Sequence, residues 1–120
     1  MEIPKPDPGA AKIFEELTPA ATGVSARKVF GQPAAFVNGN MFFGVFGDKL
    51  FVRLSEADRA DAKKNAGFVT FEPMPGRAMR EYMVLPGSVV KNRSRARAWV
   101  TRSLGYAAKL PAKKPDNKTK

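Results

Sequence analysis

A chain of 120 residues holds one domain of ordinary size, which buries roughly two thirds of the surface its unfolded form exposes. With 43% hydrophobic residues it builds a core without crosslinks; with no Cys and no His it has no disulfide, no thiolate nucleophile, no Cys or His metal ligand, and lacks the commonest general base. The formal charge of +10 is unevenly placed, since residues 1–90 carry 11 Lys+Arg against 10 Asp+Glu and residues 91–120 carry 10 against 1, so the excess belongs to the C-terminal stretch.

The opening "MEIPKPDPGA" has no basic stretch followed by an apolar run, and nothing approaches the roughly 18 apolar residues of a membrane span. A soluble, cytoplasmic protein without membrane association is expected. Pro4, Pro6 and Pro8 predict a flexible lead-in over residues 1–9. Ile13, Phe14 and Leu17 stand at helical spacing and predict a short helix that ends near Leu17, ahead of Pro19 and Gly23.

From Arg27 the pattern changes to strands. Asn38-Gly39 suits a two-residue type I′ turn, which pairs Val37 with Asn40 and Phe36 with Met41. Gly47-Asp48 suits type II′, which pairs Phe46 with Lys49 and Val45 with Leu50. Strict alternation along both hairpins places Ala34, Phe36, Met41, Phe43, Val45, Leu50, Val52 and Leu54 on one wholly apolar face. The opposite face then collects Ala35, Val37, Asn40, Phe42, Gly44, Phe46, Lys49, Phe51 and Arg53.

"LSEADRADAKKNAG" carries the strongest helix signal, with Ser55 as N-cap, Asp58 near the positive helix end and Gly67 as the C′ stop. A strand over Phe68 to Glu72, the turn-rich "PMPGR" and a strand in "AMREYMVL" follow. Asn92 caps a last helix whose buried stripe is Ala96, Trp99, Val100, Ser103, Leu104 and Ala107, while Arg93, Arg95, Arg97 and Arg102 face largely outward. Residues 109–120 read as a disordered basic tail. The resulting order α-β-β-β-α-β-β-α predicts a two-layer α+β domain over residues 10–108, an antiparallel sheet with helices on its all-apolar face.

"GFVTF" at residues 67–71 looks like half of the RNA-recognition octapeptide, but Asn65 and Ala66 replace its Gly and first stacking aromatic, and the segment emerges directly from a helix. Phe68 and Phe71 are therefore expected in packing roles. Ser25 and Lys28 have the spacing of a Ser-x-x-Lys pair but enter a strand, where that spacing does not bring them together. Glu56, Asp58 and Asp61 are explained by the helix start. Glu72 and Glu81 flank one loop and form only a bare carboxylate pair. No catalytic residue, metal ligand or cofactor is expected.

Two surfaces remain. Phe42, Phe46 and Phe51 on a nominally exposed face imply either coverage by a helix or terminus or a protein interface, a homodimer or a partner, with Arg53 and Lys49 as polar rim. Arg77 and Arg80, presented by a proline-stiffened loop, together with Arg93, Arg95, Arg97, Lys113 and Lys114, are the candidates for an anion or nucleic acid.

"RKVFG" at Arg27 to Gly31, "FVNGNMFFGVFGDKLFVRL" at Phe36 to Leu54, the helix-Gly-Phe junction, "FEPMPGRAMREYMVLP" at Phe71 to Pro86 and the last helix with Trp99 together resemble the N-terminal domain of the TfoX/Sxy family of bacterial competence regulators, over about residues 10 to 108. The resemblance implies a fold similar to secretion chaperones, no established catalytic residues, and a transcription- or competence-associated regulatory role through protein contact. Val29 stands where relatives usually carry Met, a small packing change. Full-length competence regulators add a C-terminal helical domain where this chain has its basic tail, which implies a stand-alone domain here. The expected function is a non-enzymatic interaction or regulatory accessory domain; the alternative is weak nucleic-acid binding by the arginine-rich helix and the tail.

Overall fold

The computed structural model describes residues 4–64 and 67–112. Helix α1 (Pro8–Leu17) is followed by four strands, β1 (Val24–Val29), β2 (Gln32–Val37), β3 (Asn40–Phe46) and β4 (Lys49–Arg53). Helix α2 (Glu56–Lys63), strands β5 (Val69–Met74) and β6 (Arg77–Val84), the one-turn α3 (Gly87–Val90) and the long α4 (Arg93–Lys109) complete the chain. All six strands form one antiparallel sheet in the order β1-β2-β3-β4-β6-β5, so the two-layer α+β architecture stands.

The expected three strands before α2 are four. The stretch from Val24 to Val37 is folded back at Phe30-Gly31, where both residues have positive φ (53° and 81°) and Val29 pairs with Gln32. That is a type I′ reversal with a Phe where Asn or Gly is the usual occupant, so composition gives no sign of it. The two expected turns are present: Asn38 and Gly39 have φ of 52° and 83°, and Gly47 has φ of 63° with Phe46 opposite Lys49.

The alternation of faces is corrected by a β-bulge. Phe36 pairs with Met41 as expected, but Ala35 then pairs with Phe43, which leaves Phe42 as the extra residue on β3. Beyond the bulge, Phe43, Val45, Leu50, Val52 and Leu54 enter the helix-covered core as expected. Before it the sides are exchanged: Ala35 and Val37 lie in that core, while Met41 packs with the cluster on the other side. Phe42 also enters the helix-side core and is fully buried, so two consecutive phenylalanines point the same way.

Side chains from both layers bond to carbonyls at the bulge. The buried Ser103 on α4 donates through Oγ to the Phe42 carbonyl at 2.5 Å and accepts from the Arg53 backbone N–H at 3.1 Å. From the opposite face, the Tyr82 hydroxyl donates to the Met41 carbonyl at 3.1 Å. Buried backbone groups need such partners wherever a ladder is interrupted.

The helices pack where their sequences predict. Asp7 caps α1 by accepting from the Ala10 N–H at 3.0 Å, and α1 buries Phe14, stacked at 4.9 Å on Phe43. Within the lead-in, the Asp7 N–H donates to the Gly47 carbonyl at 2.9 Å, and Gln32 Nε2 donates to the Pro4 carbonyl. Ser55 caps α2 and Asn92 caps α4. Helix α2 stops at Lys63, with Lys64 as C-cap, so Gly67 (φ 95°) shapes the turn into β5 and is not the C′ residue. Helix α4 buries Ala96, Trp99, Val100, Ser103 and Ala107, with Leu104 half-buried, and Phe68 packs on Trp99 at 4.8 Å. After α4, Asn40 Nδ2 donates to the Pro111 carbonyl at 3.0 Å; of the segment expected to be a disordered tail, the residues from 113 onward lie outside the described ones.

Candidate protein-interaction groove

On the second face of the sheet, no described helix contributes to the apolar cluster. This cluster is built from Phe51, Phe71 and Val84, with Met41, Phe46, Met79 and Tyr82 packed around them. Phe51 stacks on Phe71 at 4.4 Å with the rings 8° from parallel, and Phe46 meets Phe71 edge-on at 5.4 Å. Gly44 makes this possible. It pairs with Phe51, whose ring lies where a side chain would be, and a Cβ there would stand 2.6 Å from the Phe51 ring.

Beside this cluster lies an apolar groove of about 340 Å³. Its walls come from both ends of the strand order: Val29, Phe30 and Pro33 from the β1–β2 hairpin, and Pro73, Met74 and Met79 from the β5–β6 hairpin. The sheet therefore bends across its open face. The floor holds Ala34, Met41 and Phe51. Exposed apolar side chains stand at the rim, Phe30 at 80% and Met74 at 45% of full exposure. Phe30 is doubly unusual, because a bulky side chain with positive φ is strained and gains no burial here in return.

The predicted interaction residues separate accordingly. Phe46 and Phe51 do lie on the open face, Phe46 half-buried and Phe51 buried beneath its neighbours. Phe42 does not, because the bulge turns it into the core. Arg53 reaches the polar end of the face, where its Nε donates to Glu81 at 2.7 Å and its guanidinium lies 5.6 Å from the Tyr82 ring and 6.0 Å from the Tyr106 ring. The Tyr106 hydroxyl donates to the other Glu81 oxygen at 3.2 Å. Partial burial opposes both charges, but the shared hydrogen bond and attraction prevail, holding the Arg53 pKa above its ordinary value and the Glu81 pKa below. Burial raises the Tyr82 pKa against the pull of Arg53. The groove residues not among the expected interaction residues include Phe30, Met41, Met74 and Met79; the "Met-Pro" and "Phe-Gly" turn tips carrying large apolar side chains were the available signal.

The basic candidates fall into two groups. Arg77 and Arg80 are exposed on β6, on either side of Met79, with Arg77 opposite Met74. The α4 arginines are mostly occupied within the fold. Arg93 Nε pairs with Glu16 at 3.0 Å and Arg97 donates to the Glu16 carbonyl at 3.3 Å, which latches α4 to the end of α1. Arg102 pairs with Asp61 at 2.7 Å and lies 4.4 Å over the Trp99 ring. Arg95 is exposed and has no ion-pair partner among the described residues; Lys113 and Lys114 lie outside them.

Glu72 and Glu81 serve separate structural tasks, Glu72 accepting from the Gly76 N–H at 2.5 Å in the β5–β6 turn and Glu81 holding Arg53. No group of three or more His, Cys, Asp or Glu able to hold a metal ion occurs among the described residues, and no described helix is long and apolar enough to cross a membrane.

The family model of the TfoX N-terminal domain matches residues 15–107. That domain is not a known enzyme family. No curated protein matches the chain.

Proposed function

The chain belongs to the TfoX N-terminal domain family, and from that premise and the geometry of the open face we propose that it is a non-enzymatic regulatory accessory domain which docks another protein in the apolar groove. The observation that carries this reading is the pairing of the groove with Phe30, a strained and almost fully exposed aromatic at its mouth. A fold gains nothing from that side chain in isolation, whereas a partner that covers it gains a large apolar anchor. Met41, Met74 and Met79 supply unbranched, adjustable walls of the kind that accommodate protein side chains.

Affinity capture with the wild-type chain and with F30D/M74D tests the proposal. Both positions are exposed, so the variant keeps its fold, and it is expected to lose proteins that the wild type retains. Identical retention by both, with unchanged thermal melting, contradicts the groove as docking surface. The alternative role in nucleic-acid binding draws less support, because Arg93 and Arg97 are engaged by Glu16. It predicts affinity for DNA or RNA that falls steeply with salt and on deletion of residues 109–120.

A further inference from the structure

Two guanidinium groups flank the groove. Arg27 on β1 lies opposite Ala34, with its charge 4.1 Å over the Phe36 ring, and Arg77 lies opposite Met74 at the start of β6. Both are exposed, and neither forms an ion pair among the described residues. Among the described residues the single polar side chain lining the groove is Gln32, and its amide is already engaged on both sides, Nε2 with the Pro4 carbonyl and Oε1 with the Gly47 N–H at 3.2 Å. A small polar ligand thus finds no convergent groups to orient it, while apolar side chains find a receptive channel between two cationic rims.

Resting on the groove as docking surface, we propose that its partner is an acidic amphipathic helix of another protein. Its apolar stripe enters the groove through anchors one helical turn apart, and Glu or Asp beside that stripe meet Arg27 and Arg77. A second copy of this chain fits poorly, because a two-fold contact over this face sets the same basic rim, Arg27 and Arg77, against itself. The chain's own C-terminal segment, with Lys113, Lys114, Lys118 and Lys120, has the wrong sign.

Two synthetic helical peptides of about 18 residues, sharing one Leu/Phe stripe but carrying Glu or Lys on the polar face, are titrated into the full chain with 13C-labelled Met methyls. The Glu peptide is expected to shift Met41, Met74 and Met79 but not the core residue Met83, and the Lys peptide to bind at least about tenfold more weakly. R27Q/R77Q, both at exposed positions, is expected to weaken the Glu peptide roughly fivefold to tenfold and to flatten its salt dependence. Equal binding of both peptides at the same methyls overturns the acidic partner and leaves the groove as a docking site. No movement of those methyls with either peptide overturns both. Concentration-dependent shifts without peptide make a second copy the occupant, and displacement of the Glu peptide by decanoate at equal concentration makes it a small amphiphile; either result overturns the proposal.

Discussion

Replacing Ser103 by Ala removes one hydroxyl and leaves two backbone groups, one buried and one partly buried, without that partner. Ser103 is fully buried, donates to the Phe42 carbonyl at 2.5 Å and accepts from the Arg53 N–H at 3.1 Å. Neither group regains a ladder bond, because the carbonyl belongs to the bulge and the N–H to the end of β4. An orphaned buried backbone group costs about 1–3 kcal/mol, so S103A is expected to lose about 2–4 kcal/mol. At about 4 °C per kcal/mol for a domain of this size, the melting temperature falls by about 8–16 °C. Urea unfolding measures the loss directly, with T101A, exposed on the same helix, as a control expected to stay within about 0.5 kcal/mol of wild type. Amide exchange at Arg53 should accelerate in S103A. A loss below about 1 kcal/mol, or an Arg53 amide that remains protected, refutes the claim that α4 holds the bulge and through it the assignment of faces.

Three further outcomes follow from the same geometry. F30N places at the first turn position a residue that tolerates positive φ; it should gain about 0.5–1 kcal/mol in urea unfolding while partner retention falls, and a loss of stability would remove the strain argument. G44A sets a methyl 2.6 Å from the Phe51 ring; it should cost about 1–3 kcal/mol and disturb the Phe51–Phe71 stack in aromatic NMR, and a neutral result would show that the ring moves freely. E81Q removes the partner of Arg53. The Glu81 pKa is lowered in the folded state, so its contribution is present above the ordinary carboxylate value of about 4.3 and is lost as pH falls through the lower folded value. Solvent screening keeps that contribution below about 1 kcal/mol, so the urea midpoints of E81Q and wild type should differ at pH 7 and converge near pH 3; a constant gap contradicts the assignment.

The sequence discloses what depends on neighbours along the chain and conceals what depends on distant ones. Asn38-Gly39 and Gly47-Asp48 are legible because those residues suit the backbone of tight reversals, and both registers next to the turns are as read. Ser55 and Asn92 are legible as caps for the same local reason. Phe30-Gly31 hides the first hairpin, since its Phe belongs in a strand by composition and in a left-handed turn by structure. The bulge is hidden because what stabilises it, the Ser103 hydroxyl, stands 61 residues away on α4. Its effect on the site is large. The apolar open face was legible through Phe46 and Phe51, but Phe42 was assigned to it wrongly, and Met41 only reaches the groove because alternation fails at Phe42. The proline pattern of the lead-in does not reveal Gln32 and Gly47 as hydrogen-bond partners of Pro4 and Asp7.

Solvent paramagnetic relaxation of the Met methyls, recorded on the labelled chain alone and again in bacterial lysate, tests the docking surface most directly. The expected result is that Met41, Met74 and Met79 feel the dissolved relaxation agent in isolation and become shielded in lysate, while Met83 is silent in both. Methyls that stay equally accessible in lysate, or that are already shielded in the pure chain, would contradict a groove that waits for a partner.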